Sequence, residues 1–257
     1  MSNGTEMGPD PPPAESPVRS MASPLVAGSL AAAALMTYAV RGRSSALLAP
    51  SVYRGARDRR AIALTFDDGP SESTPRLLDL LDRYRVAATF FQCGANVRRL
   101  PDIARAVTSA GHEAGNHSDS HPNFSFRSSG FIYDELARAQ VAIEDATGTR
   151  PALFRAPFGV RWFGLKEAQT RLGLLGVMWT ALGLDWKWPE DRITSRLLAA
   201  AKNGAILCLH DGRELARAPD ISTTLGAVRR LLPELIDRGF QFERVTDILC
   251  PTILKSV

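Results

Sequence analysis

From residue 61 onward, short apolar runs alternate with stretches of 3.6-residue periodicity, and a chain written this way has few folds open to it. Strand candidates lie at 61–66, 87–92, 113–116, 153–154, 174–179, 205–209 and 240–245. Between them, helical patterns run over 74–84, from 101 to a stop at Gly111, over 132–147 before Gly148, over 165–172, over 193–201, and over 222–238 before Gly239. Thr74-Pro75 reads as an N-cap with proline at the first helical position. Strands separated by helices pair in parallel as βαβ units. About seven of them is too many for a small open sheet and suits a barrel-like closure.

Polar clusters follow the strand candidates: Asp67-Asp68, then His117 to His121, Arg155, Asp185-Trp186 and His210. In α/β barrels the loops at the C-terminal ends of the strands build the active site, so residues about 140 positions apart meet at one mouth. Adjacent carboxylates at a strand end point to different places, which lets one bind a metal while the other stays free as a base. Asp-Asp-Gly-Pro is equally good turn chemistry. His117 and His121 are four apart, the spacing of one side of a helical turn. Two imidazoles and a carboxylate make an open site for zinc or a similar ion, although such pairs also occur as surface or core histidines. A zinc protease would need HExxH; His117 is followed by Ser118, and the His112-Glu113 pair lacks its second histidine at Asn116. His112 therefore reads as structural.

Arg155 precedes Ala156-Pro157-Phe158-Gly159, an irregular turn that can aim a backbone N–H into a pocket; its guanidinium suits a carboxylate partner there or a structural ion pair elsewhere. Asp185 stands beside Trp186 and near Trp188, rings that serve either as core or as a sugar-stacking wall. His210 titrates near neutrality and is a natural acid for a leaving amine, or a satisfied structural histidine.

The 257 residues carry a formal charge of +4, spread over scattered arginines rather than a block, so a nucleic-acid partner is not expected. Cys93, Cys208 and Cys250 form no CxxC and read as small hydrophobes with no disulfide framework. Residues 1–20, with five prolines, read as a disordered tail. Residues 21–41 form an apolar segment, and 20–40 hold no charge, about the 20 residues a bilayer span needs. Alanine, Ser23, Pro24, Gly28 and Ser29 dilute it. A retained signal anchor, a cleaved export signal and a soluble Ala-rich helix all remain open. The arginines after the segment favour a cytoplasmic barrel by the positive-inside rule. A linker is expected over 42–60, the main domain over 61–249 and a tail over 250–257.

Thr65 to Pro70 (TFDDGP), His117 to His121 (HSDSH), Arg155 to Gly159 (RAPFG), Asp185-Trp186 and Leu207 to His210 (LCLH) resemble, in order, the five motifs of the polysaccharide deacetylases, the NodB-like enzymes of carbohydrate esterase family four. The resemblance covers roughly 61–249. It implies a distorted (β/α) barrel of about seven parallel strands holding one divalent ion, Zn2+ first and Co2+ or another as alternatives. It implies that Asp68, His117 and His121 hold the metal and that Asp67 is the base, positioned by Arg155. The backbone N–H of Phe158 would stabilise the oxyanion, and Trp186 would wall the acetyl pocket. His210 would be the acid, tuned by Asp185. Phe158 stands where many members carry Tyr.

The expected function is deacetylation of N-acetylated glycans such as peptidoglycan or chitin-type oligosaccharide. The alternatives are hydrolysis of another linear amide or of acetyl esters, and an inactive glycan-binding module. The acetylated glycan is the expected partner and a monomer the default state. Large glycan substrates favour a membrane-anchored protein with its barrel extracytoplasmic, against the arginine count.

Overall fold

In a computed structural model, Met1 and residues 24–250 are described; the tails expected over 1–20 and 250–257 lie almost wholly outside them. Helix α1 (Pro24–Arg41) occupies most of the apolar segment expected at 21–41. No helix among the described residues is long and apolar enough to cross a membrane. The described residues divide at Met36 and Thr37 into two units.

The second unit is an α/β half-barrel. Its elements are β1 (Ser51–Val52), β2 (Ala61–Asp67), α2 (Thr74–Arg83), β3 (Thr89–Gln92), α3 (Gly94–Arg99), α4 (Pro101–Ser109), β4 (Glu113–Asn116), α5 (Ser129–Thr147), β5 (Leu153–Phe154), α6 (Leu165–Leu172), β6 (Leu175–Val177), β7 (Ala181–Leu182), α7 (Glu190–Ala200), β8 (Ala205–His210), α8 (Ser222–Asp237), β9 (Gln241–Phe242) and α9 (Val245–Leu249). The strands run in the order β1-β6-β5-β4-β3-β2-β8-β7, with β9 also against β2, and every pairing is parallel. β2 is buried at every residue and β8 at all but His210, the unbroken apolar pattern of parallel strands covered on both faces. Beyond β1 the chain reaches Arg54, which bridges Ala205 of β8, so one isolated bridge spans the open side.

The expected α/β barrel-like architecture holds, with nine short strands among the described residues rather than about seven. The run at 174–179 supplies only β6, β7 follows it separately, and β1 lies in the segment expected as a linker. That segment is anchored: Arg161, buried, donates to the carbonyls of Ser45 at 2.7 Å and Gly42, and to Ser51 Oγ at 2.9 Å. The strand expected at 240–245 stops at Phe242. Val245 instead opens α9, where it and Ile248 bury into an apolar cluster with Ala61 and Ile206.

Two local readings change. Ser73, not Thr74, is the N-cap of α2; the Thr74 hydroxyl accepts from Ser71 N–H and donates to Asp211 at 2.6 Å. Helix α3 has no apolar period to announce it. Its first N–H groups, on Gly94 and Ala95, donate to the carbonyls of Ser118 and Asp119, so a tertiary contact starts it. α5 ends at Gly148 as its sequence reads, with that residue in the left-handed region, but begins at Ser129 rather than near Ile132, where Ser128 Oγ accepts from Phe131 N–H.

Candidate active site

Strand register assembles the site. β2 and β8 pair residue for residue from Ile62–Ala205 to Asp67–His210, so those two side chains end their strands at one level. Asn116 of β4 pairs with Phe154 of β5, which places His117 and Arg155 at the same rim. Asp67 is buried, and its Oδ1 accepts from Arg155 at 2.6 Å. The Arg155 guanidinium is wholly buried and also donates to Thr65 Oγ1 and to the Val177 and Met178 carbonyls, with its Cζ 4.1 Å from the Phe91 ring centre. Of the two readings open for this arginine, the structure shows the carboxylate partner.

Asp68 takes a left-handed conformation (φ 72°), tolerable for aspartate, and so turns away from Asp67. This turn packs against Asp211-Gly212 so closely that a Cβ on Gly69 would lie 2.2 Å from the Asp211 carboxylate. Asp68 Oδ1 lies 3.2 Å from His117 Nε2 and 3.1 Å from His121 Nε2. The histidines do not share a helical turn, contrary to their spacing. They converge through a loop in which Ser118 (φ 64°) and His121 (φ 55°) are left-handed.

Asp68 Oδ1 and His121 Nδ1 are buried without hydrogen-bond partners, and the three candidate ligand atoms lie within 4.8 Å of one another. One carboxylate and two imidazoles at these separations fit a divalent ion such as zinc and leave positions open for water and substrate. His117 Nδ1 sits 2.7 Å from the Arg155 carbonyl, a contact that assigns the proton to Nδ1 and leaves Nε2 to face Asp68. Burial pushes the Asp68 carboxyl up, but the neighbouring His117 and His121 rings and the charge on His210 hold it well below the usual carboxylate range.

His210 is oriented by Asp185 at both ends: its Nδ1 lies 2.8 Å from Oδ1, and its backbone N–H donates to Oδ2 at 2.9 Å. Thr224 Oγ1 donates to the same Oδ2. Burial works against the imidazolium, yet Asp185, followed by Asp68 and Asp67, raises its pKa to about 9. Trp186 is half exposed and meets the His210 ring edge-on at 4.9 Å. Trp188 instead packs toward the core and carries Arg192 over its ring, so it is no part of the cleft wall. Phe158, left-handed at φ 56°, sets its ring edge-on to His121 at 4.7 Å.

A cleft of about 410 Å³ opens on this arrangement. Asp67, Asp68, His117, His121, Phe158, Trp186 and His210 all line it, while Arg155 and Asp185 act on it from behind. His112 is structural: it is buried, its Nδ1 accepts from Ala88 N–H, and burial lowers its pKa to about 4. Sequence reasoning missed Asp211, whose carboxyl burial pushes up to about 7 against the Thr74 hydroxyl bond. It also missed Glu135, which grips the histidine loop. The aspartate next to His210 was visible as a neighbour, whereas Glu135 carried no local signal.

The profile of the family described as polysaccharide deacetylase matches residues 54–177. A chitooligosaccharide deacetylase of Bradyrhizobium sp. (strain ANU 289) is 37% identical over 198 residues, which is 74% of this chain and 90% of that protein. The peptidoglycan-N-acetylglucosamine deacetylase PgdA of Listeria monocytogenes is 34% identical over 206 residues; the match spans 79% of this chain and 42% of that longer protein. Among solved structures, a family 4 carbohydrate esterase from Streptomyces lividans in complex with acetate superposes with a TM-score of 0.66 at 31% identity, covering 73% of this chain and 93% of that one. The chain belongs to the polysaccharide deacetylase family, hydrolases of carbon–nitrogen bonds other than peptide bonds.

Proposed function

We propose that this protein is a metal-dependent deacetylase that releases acetate from N-acetylated sugars of a glycan, with chitin-type oligosaccharide and peptidoglycan as the candidate substrates. The observation that carries the reading is the pairing of Asp67 with His210 across β2 and β8, beside Asp68, His117 and His121. A base and an acid thereby border one point at which three ligand atoms converge. A divalent ion held by Asp68, His117 and His121, zinc first, would supply Lewis acidity for activating water and for the charge that develops on the acetyl oxygen.

Asp67 takes the proton of the attacking water, and the buried Arg155 holds that carboxylate in place. The Phe158 N–H is the assigned donor to the oxyanion. His210 gives its proton to the departing nitrogen, so that amide and water become amine and acetate. Trp186 walls the acetyl pocket. A binding module would need neither Asp67 nor His210.

The test is acetate release from a panel of chitin oligosaccharide, peptidoglycan and acetylxylan. Activity should vanish with chelator and return with zinc or cobalt; unimpaired turnover by metal-free protein in chelator would overturn the reading. His121→Ala should bind no ion while keeping its far-UV spectrum. Because glycan polymers lie outside the cell, we place the barrel on the extracytoplasmic side, held near the membrane by the N-terminal segment. Protease added to intact spheroplasts should then digest the barrel, and a barrel protected until lysis reverses that orientation.

A further inference from the structure

The loops that carry His121 and Phe158 meet twice. Their first meeting is the His121–Phe158 ring contact at 4.7 Å inside the cleft. Farther along the same two loops, Phe126 and Trp162 lie 4.7 Å apart, and Trp162 meets Phe163 edge-on at 5.4 Å. Phe126 is 88% exposed and Phe163 54% exposed, whereas Trp162 leans on a buried cluster that includes Phe124, Phe154 and Val160. Phe126 also holds a left-handed backbone (φ 62°), a costly conformation for a bulky residue. Two exposed rings set on a half-buried third are an unusual use of apolar surface and mark a binding face. Phe126 is five positions from His121 and Trp162 four from Phe158, so their Cα atoms lie at most about 18 Å and about 14 Å from those of the two cleft residues.

We propose that Phe126, Trp162 and Phe163 form a stacking surface for a sugar ring of the glycan beyond the one being deacetylated. The proposal rests on the deacetylase reading and adds to it that the protein grips a chain rather than a single sugar. Pyranose rings present apolar C–H faces that suit flat, uncharged side chains. Phe158 stands against His121 in the cleft and Trp186 against His210, and the three rings lie farther along the two loops that carry His121 and Phe158.

The test compares an N-acetylglucosamine dimer with a hexamer, using the wild type and the Phe126→Ser/Phe163→Ser double variant. Wild-type kcat/KM should rise with chain length. The variant should lose on the order of 3–10-fold on the hexamer, mostly in KM, and little on the dimer. Identical length dependence in both proteins overturns the surface. Calorimetric titration of the hexamer separates the two readings: weaker binding by the variant with no turnover by either protein would sink the deacetylase assignment alone, and equal binding would sink the surface.

Cys208 touches the site from within the sheet, and a different contact carries its role. Its Sγ lies 3.3 Å from Asp67 Oδ2 and 3.5 Å from the Arg155 guanidinium, with no exposure to solvent. We infer that Cys208 is a positioning residue whose thiol donates to the second oxygen of Asp67, completing the grip that Arg155 has on the first. Burial, with the charge on Asp67 next, pushes the thiol pKa well above its ordinary value, so the proton needed for that bond stays in place.

Cys208→Ser keeps a donor and Cys208→Val keeps the bulk. Ser should retain kcat within a few-fold, and Val should lose on the order of tenfold in kcat with KM unchanged. Val equal to wild type, with Ser the worse of the two, would reduce Cys208 to packing. Cys208→Ala, which cannot overpack, gives the same comparison should Val fold poorly, and its kcat should fall with that of Val.

Discussion

Asp67 and His210 sit in opposite electrostatic settings one strand apart. Asp67→Asn keeps the shape but neither takes a proton nor balances the Arg155 charge. It should bind the divalent ion yet lose about 10²–10⁴-fold in kcat; activity near wild type, with metal content measured in parallel, would move the base elsewhere. His210 is raised to about 9 mainly against burial by Asp185, so it is a cation throughout the neutral range and loses its proton as pH climbs through that value. In Asp185→Asn the pKa should fall toward its ordinary value near 6.5. The alkaline limb of kcat/KM should therefore move to lower pH. A bound dication lowers the limb in both proteins without changing the direction of the shift, and limbs that coincide would contradict the role given to Asp185.

The 117–121 loop is shaped by its neighbours. Glu135 of α5, almost wholly buried, accepts from Asp119 N–H at 3.1 Å and from Ser120 at both N–H (2.8 Å) and Oγ (3.0 Å). Asn116 Oδ1 accepts from Ser118 N–H, and its amide donates to the Leu136 carbonyl and Gln140. Helix α5 thus aims two histidines it does not carry. Glu135→Gln weakens that grip without touching a ligand atom, and should lower the affinity for zinc about 10–100-fold by competition with a chelating dye. Unchanged affinity would show that the loop holds its shape unaided.

In the second unit, the strip from Ala39 to Val52 covers the barrel beside β6. Arg161 pins it, since its side chain reaches Ser45, Gly42 and Ser51 and its N–H donates to the Val40 carbonyl. Arg41 follows directly and lines the cleft, so this strip also shapes the mouth. Arg161→Ala removes its side-chain bonds to the strip, while the Ser45 carbonyl keeps Ser51 Oγ and the Gly42 carbonyl keeps Ser45 N–H, so each lost bond costs about 0.5–1.5 kcal/mol. Its denaturation midpoint should drop accordingly, with a fall in activity on long glycans. A midpoint equal to wild type would mean that the strip is held mainly by its apolar contacts.

The alternation of apolar runs with 3.6-residue periods was enough to read a parallel α/β barrel, and most element bounds fell within a few residues of the structure. Burial of β2 and β8 on both faces writes itself into sequence as continuous apolar runs, and Gly148 ends α5 because it takes φ 70°. The candidate site residues were legible for a similar reason: they end a strand or stand within a few residues after one, and chemistry restricts which residue types stand there. Geometry was not. Left-handed Asp68, Ser118, His121 and Phe158 are non-glycine residues that no local pattern marks, because distant partners stabilise those conformations. Helix α3 and the short β9 likewise depend on the surfaces they meet. Local sequence sets which elements form and which groups they carry. Register between strands, and hydrogen bonds from residues such as Glu135 and Arg155, determine where those groups point, since these forces exist only once remote segments are packed together.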